Sequence, residues 1–354
     1  MEGVLKGRGA RINPAGRFAS TRQQSVDDGW YQEATPDSIA TEVRPEAART
    51  LISHNDSPDI PFAQSINPYR GCEHGCVYCY ARPSHAYVDL SPGIDFETRL
   101  FYKADAARLL RAELARPAYR PQPIMLGANT DPYQPVEKRL RVTRDILEVL
   151  WEARHPVTII TKGAMVLRDL DLLQDLACLN LVRVTVSLTT LDPELKRTLE
   201  PRAASPQARL RVIAALAEGG VPVGVLTAPL IPAVNDAELE SLLEAAATAG
   251  ATRAGYVLLR LPHEVKDLFR AWLEQHMPLR AAHVMSLVQQ ARGGRDNDPR
   301  FGNRMRGEGA WAGLLAARFQ LACRRLGLGT GRSSELCTTL FRPPRLGGQL
   351  ELGW

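Results

Sequence analysis

Apolar positions along this chain follow two alternating rhythms. Short apolar or β-branched runs stand near residues 60–66 and at 123–126, 157–161, 181–188, 221–228 and 255–261, each of strand length and bounded by turn-forming residues. Between them, apolar residues recur every three or four positions. Segment 103–115 carries Ala106, Leu109, Leu110 and Leu114, and segment 138–154 carries Val142, Ile146, Val149 and Leu150. Segments 167–179, 206–218 and 236–249 repeat the pattern, with Gly219 and Gly250 placed to end the last two helices. Six strand and helix units predict an α/β fold with a parallel sheet and right-handed crossovers, either an open barrel or a doubly wound sheet.

The ends of the chain read differently. Residues 1–55 mix Gly, Pro, Arg, Gln and Asp with little apolar period and are expected to form a loosely ordered arm. Beyond Pro262 strand signals stop, and helices are expected at 268–273, 281–290 and 311–326. The expected organisation is an arm over 1–55, a barrel over 56–262 and a helical, basic region over 263–354. From Arg260 onward there are 15 Lys plus Arg against 8 Asp plus Glu. That excess permits a nucleic-acid partner and equally describes a solvated face.

The longest apolar run, residues 221–234, is broken by Pro222, Pro229 and Pro232 and is too short to cross a bilayer. The basic first residues lead into no apolar segment, so no secretory signal is expected. A monomer in the cytoplasm follows. In that reducing setting the six cysteines are not a disulfide framework.

Three of those cysteines lie in INPYRGCEHGCVYCYARP, where Cys72, Cys76 and Cys79 are spaced C-x3-C-x2-C. Convergent thiolates in a loop suit an iron–sulfur cluster or zinc. Zinc wants a fourth ligand, which His74 or His85 offers, and would make the protein a zinc-stabilised nucleic-acid binder without catalysis. A four-iron cluster on three cysteines leaves one iron open to a chelating cofactor. Cys178 reads as a small core residue, and Cys323 and Cys337 have no partners at ligand spacing.

C-x3-C-x2-C with an aromatic residue before the last cysteine, here Tyr78, resembles the radical S-adenosylmethionine superfamily. The wider stretch SPDIPFAQSINPYRGCEHGCVYCYARPSH, with LGANTDPYQPVEKRL, is similar to its spore-photolyase-like branch over about residues 55–260. The resemblance implies a partial (β/α)6 barrel of TIM type with the cluster loop after its first strand. It also implies a [4Fe–4S] cluster on Cys72, Cys76 and Cys79, and reductive cleavage of S-adenosylmethionine to a 5′-deoxyadenosyl radical that abstracts hydrogen. An electron donor such as flavodoxin or ferredoxin is implied, and a nucleic acid, RNA or peptide substrate.

Cofactor-binding candidates follow from the resemblance and from the ends of the predicted strands, where such barrels gather function. Tyr78 is expected to pack against adenine, while Tyr80 and Tyr87 read as ordinary packing. Thr130 and Asp131 stand where the superfamily contacts the amino group, or in an Asx turn before Pro132. Lys162 stands where the branch contacts the carboxylate, or is a surface lysine. Ser187 reaches the ribose or caps a turn. Arg202, in Glu200-Pro201-Arg202, contacts the cofactor or belongs to an exposed salt bridge. Arg260, in an apolar run, lines the site or snorkels at an edge. Arg318, Arg324 and Arg325 offer a basic helix surface. In one respect the sequence departs from the branch, because spore photolyases have a hydrogen-returning cysteine where Ala128 stands.

Overall fold

The computed structural model describes residues 7–18, 39–331 and 335–345. The strands are β1 (Glu42–Pro45), β2 (Ser53–His54), β3 (Gln64–Ile66), β4 (Tyr69–Arg70), β5 (Arg99–Tyr102), β6 (Ile124–Leu126), β7 (Val157–Thr161), β8 (Val182–Ser187), β9 (Val223–Leu230) and β10 (Arg253–Leu258). The helices begin with α1 (Asp95–Thr98), α2 (Ala106–Leu114), α3 (Glu137–Leu140), α4 (Val142–Glu152), α5 (Leu170–Cys178) and α6 (Pro193–Leu199). They continue with α7 (Pro206–Glu218), α8 (Leu239–Thr248), α9 (Val265–His276), α10 (Ala281–Gln290), α11 (Asn303–Arg306) and α12 (Gly309–Leu326).

Strands β3, β6, β7, β8, β9 and β10 are neighbours in chain order and pair parallel, with β2 antiparallel on the β3 edge. Six parallel strands in sequential order, joined through helices, form an open barrel. Ile124, Leu126, Val157, Ile159, Val182, Val184, Val223 and Val225 are all buried in one core with the apolar stripes of α2, α4, α5, α7 and α8. Residues of the other parity, such as Met125, Thr158, Ile160 and Thr185, are only half-buried. Alternation along each strand therefore sends one set toward the helices and leaves the concave face open.

Helix starts explain how the site is held. Asp192 caps α6 by accepting from Glu194 N at 2.8 Å, and Ser205 caps α7 by accepting from Ala208 N at 3.2 Å, with prolines at the first helical positions. At the end of α7 it is Gly220, at φ 72°, that takes the left-handed conformation, while Gly219 stays at φ −76°. The expected terminator is thus displaced by one residue. Gly250, at φ 100°, ends the next helix as expected.

Of the expected N-terminal arm, residues 7–18 and 39–55 are described, and parts of them make ordered contacts. Strand β1 pairs parallel with β5, which with β4 forms a second, three-stranded sheet. Arg8 and Ala10 are buried, and Gly9 and Ala10 donate their backbone N–H groups to Glu97 at 2.9 and 2.8 Å. The C-terminal region is helical over α9–α12 but is not set apart. α12 packs on α8, and residue 329 bridges to Arg253 at the barrel edge. Residues 335–345 return to the barrel, where Cys337 N meets Asn180 O at 2.9 Å and Arg342 N meets Ala153 O at 2.8 Å. No described helix is long and apolar enough to cross a membrane.

Candidate active site

The cluster loop leaves β4 and is braced from two sides. Gly71, at φ 79°, turns the chain where a side chain would strike Phe96 O and Leu100. Arg82, fully buried, donates from Nε to Cys76 O at 2.8 Å and from Nη1 to Pro92 O and Gly93 O at 3.1 and 2.8 Å. Its Nη2 meets Glu97 Oε1 at 2.5 Å. Gly9 lies so close that an added Cβ would stand 1.8 Å from Gly75 O, so the N-terminal segment lies directly on the loop. Burial and the neighbouring charges of Asp131 and the other two cysteines push the Cys72 thiol well up, and burial with Glu200 pushes Cys76 up to about 12. Two buried, raised thiols, with Cys79 beside them, form an electron-rich set that a metal cluster relieves.

Beside this loop the strand ends bring together a buried polar network. Glu200, fully buried between α6 and α7, accepts from Arg209, from Tyr78 OH and from Thr189 Oγ1 at 2.7 Å. Arg209 also donates to Ser187 O at 3.0 Å and Ala204 O at 2.9 Å. Burial alone would raise the Glu200 carboxyl, but Arg209 and Lys162 outweigh it and hold it at about 2. Lys162 Nζ stands 4.0 Å from Glu200 Oε1 and 5.9 Å from the centre of the Tyr78 ring. No acceptor among the described residues is within hydrogen-bonding distance of this ammonium. Burial opposes its charge, while Cys76 and Glu200 favour it and raise it overall.

Asp131, after β6, ties three elements together. It accepts from Thr161 Oγ1 and Lys162 N, both at 2.7 Å, and from Tyr133 N at 2.9 Å, and lies 3.3 Å from His74 Nδ1. Against burial, His74 and these donors hold its carboxyl at about 2.

Residues 66–246, just over half of the chain, match the radical SAM superfamily. The chain belongs to that superfamily. An uncharacterized protein of Mycobacterium tuberculosis is 41% identical over 221 residues, 62% of this chain and 65% of that protein. One of Methanocaldococcus jannaschii is 28% identical over 173 residues, 49% of this chain and 62% of that protein. The chain thus spans just under two thirds of the length of these relatives. Among solved structures, spore photoproduct lyase complexed with dinucleoside spore photoproduct superposes with a TM-score of 0.60 at 15% identity, covering 81% of this chain and 80% of that one. A variant of that lyase with bound AdoMet and the same dinucleoside gives 0.59 at 14%, covering 82% and 81%. These likenesses establish the fold: a TIM-like partial barrel with a helical C-terminal region.

The superfamily's cofactors are a [4Fe–4S] cluster and S-adenosylmethionine. The residues present fit both. The thiols offer the soft donors a cluster requires, while no three His, Cys, Asp or Glu among the described residues gather tightly enough to hold one ion. Lys162, with open donors beside the loop, fits an anionic group.

Of the expected contacts, Tyr78, Lys162 and Ser187 gather around the cluster loop and Glu200. Thr130 donates to Tyr69 O at 2.7 Å, and Asp131 spends its oxygens on protein donors. Arg202 meets Glu73 at 3.0 Å, and Glu73 also accepts from Thr41 Oγ1 at 2.8 Å. Glu200 is no exposed salt-bridge partner: it is the centre of the network. His85 is buried, with Nε2 on Arg99 O at 2.9 Å and its pKa pushed down by burial to about 4, so it is a neutral packing residue. Cys178 is exposed rather than in the core, and so is Tyr87. Arg318 is paired with Glu240 at 2.6 and 2.8 Å, which removes it from the expected basic surface of α12.

The sequence reading missed Arg209 and the Arg82–Glu97 pair. One signal was present: Arg209 precedes Val212, Ile213 and Leu216 by three, four and seven residues, so a charge sits on the apolar stripe of α7.

Proposed function

We propose that Cys72, Cys76 and Cys79 hold the cluster and that Lys162 and Tyr78 orient S-adenosylmethionine beside it for radical attack on a nucleic-acid base. The carrying observation is Lys162, whose unengaged ammonium stands next to the cysteine loop, with Tyr78 fixed by Glu200 alongside. When bound, the cluster and S-adenosylmethionine supply a 5′-deoxyadenosyl radical. The residues around them do the positioning. Lys162 attracts the carboxylate of the methionine moiety, the Tyr78 ring offers a face for adenine, and Ser187 at the end of β8 and Thr130 after β6 lie on either side of the Lys162 strand for ribose and amino group. Asp131 holds the backbone N–H of Lys162 and so sets where that side chain starts. Arg202, tied to Glu73, steadies the backbone next to Cys72.

A nucleic-acid substrate is supported by the fold shared with spore photoproduct lyase, by the open concave face and by the basic C-terminal region. The final step differs from that of spore photolyases, because Ala128 has no thiol hydrogen to return and its carbonyl instead accepts from Tyr80 OH. An acidic, low-potential carrier such as flavodoxin or ferredoxin supplies the electron to this monomer in the cytoplasm.

Anaerobically reconstituted protein, reduced and given S-adenosylmethionine, is expected to be brown and to release 5′-deoxyadenosine, and Cys76→Ala to release none. Colourless protein carrying one zinc, or product from the variant, would refute the reading.

A further inference from the structure

We infer that the barrel mouth beside β10 carries a phosphate-binding subsite for a nucleic-acid strand, with Arg260 as the phosphate ligand, Arg304 behind it, and the exposed rings of Tyr80 and Phe301 as base-stacking faces. The inference rests on the nucleic-acid reading above and assigns it a place on the molecule.

Arg260 lies two residues past the end of β10, at the face of the barrel where the cluster loop lies. Its Nε is wholly buried with no hydrogen-bond partner, and Nη1 reaches only Met305 Sδ at 3.8 Å, a weak acceptor. No carboxylate among the described residues forms an ion pair with it. Asp59, the acid whose charge acts on it, is already engaged by Arg304 Nε at 2.7 Å and by Gly302 N at 3.1 Å. Arg292, a third guanidinium in the group, is spent on the carbonyls of Leu258, Leu259 and Asn303. Burial and Arg304 both act against the Arg260 charge. Two guanidinium groups, Arg260 and Arg304, beside the single Asp59 carboxylate, one of them with an orphaned N–H, form a site that an oxyanion completes.

The aromatic residues favour a phosphate of a nucleic acid over an isolated carboxylate. Tyr80 is 45% exposed and Phe301 58% exposed, and each has a guanidinium over its ring, Arg260 at 5.4 Å and Arg304 at 4.7 Å. Exposed rings interleaved with arginines are how proteins hold single strands, through base stacking beside backbone contacts. Tyr80 directly follows Cys79, so a strand held here presents a base to the cluster loop. Arg304, fixed to Asp59, anchors the 301–306 segment against the loop that precedes β3.

The test is anisotropy of a short fluorescein-labelled single-stranded DNA titrated with the cluster-loaded protein over a salt series. Wild-type protein is expected to bind with an affinity that falls as salt rises. Arg260→Gln should weaken binding about tenfold and reduce the salt slope by about one, as loss of a single phosphate contact requires. Phe301→Ala, at an exposed position that carries no fold risk, should weaken binding while leaving the slope unchanged. Unlabelled polyphosphate should compete far less well than unlabelled DNA. If Arg260→Gln, folded by circular dichroism, binds with wild-type affinity and slope, the subsite is refuted and the nucleic-acid reading stands. If the Gln variant does not fold, Arg260→Lys carries the test, because it keeps the charge without the planar fork: weaker binding supports the site and equal binding refutes it. Polyphosphate competing as well as DNA would overturn the role of the rings. Wild-type protein that binds no DNA at any salt would overturn the nucleic-acid reading together with this inference.

Discussion

Replacing Glu200 by Gln tests whether the buried network, rather than the cluster, holds the site together. The substitution keeps shape and removes one charge. Arg209, whose side chain is 2% exposed, then has no counterion, although its bonds to Ser187 O and Ala204 O remain. Breaking a buried pair on one side typically costs about 3–5 kcal/mol. Holding the Glu200 carboxyl at about 2 instead of 4.5 independently corresponds to about 3 kcal/mol at neutral pH. A depressed carboxylate contributes stability above its unfolded pKa and loses it as pH falls toward the folded one. Wild type should therefore exceed Glu200→Gln by about 3 kcal/mol in urea unfolding of the cluster-free protein at pH 7. The gap should begin to close below pH 4.5 and narrow toward pH 2. Arg209→Met added to Glu200→Gln should restore part of the loss, because the stranded charge is gone. Equal stability of wild type and single variant at pH 7, or a gap independent of pH, would refute the assignment of this ion pair as a stabilising centre.

Two further outcomes test the loop and the lysine. In Gly9→Ala the new methyl group meets Gly75 O, so the N-terminal segment should undock and iron bound per chain after reconstitution should fall; unchanged iron content would show that the segment does not seal the loop. Lys162→Met should raise the KM for S-adenosylmethionine roughly 10- to 100-fold, the loss expected for one charge-assisted hydrogen bond, and an unchanged KM would remove Lys162 from the binding site.

The barrel was legible because its strands are buried against helices and so read as apolar runs. Residues 157–161 form β7 over the whole expected span, and β8 and β9 deviate by one or two residues. The second sheet was not legible. Its strands read EVRP, YR and RLFY, too short to show a period, and they pair across more than 30 residues of chain. Tertiary pairing made them strands. Among site residues, the cysteines declare themselves by spacing and Lys162 by its place after a strand. Glu200 lies in a polar stretch that resembles surface, and its burial shows only once the chain brings Thr189, Arg209 and the distant Tyr78 around it. Cys178 failed in the opposite direction: it sits two positions beyond Leu176, off the buried stripe of α5.

The two buried pairs suggest why a loop with so little secondary structure of its own holds its cysteines together. Arg82–Glu97 ties the carbonyl of Cys76 to the turn after the loop and to the backbone of Gly9 and Ala10. Glu200–Arg209 ties Tyr78, one residue from Cys79, to α7 and to the end of β8. Each pair spends a desolvation cost that apolar residues of the same size would avoid. What charge supplies instead is direction, because a guanidinium donating to several carbonyls fixes backbone atoms that apolar contact would leave free to slide. The thiols repel one another when ionised and favour separation. A loop held from both sides by groups outside the cysteine set has its backbone fixed by the scaffold against that repulsion.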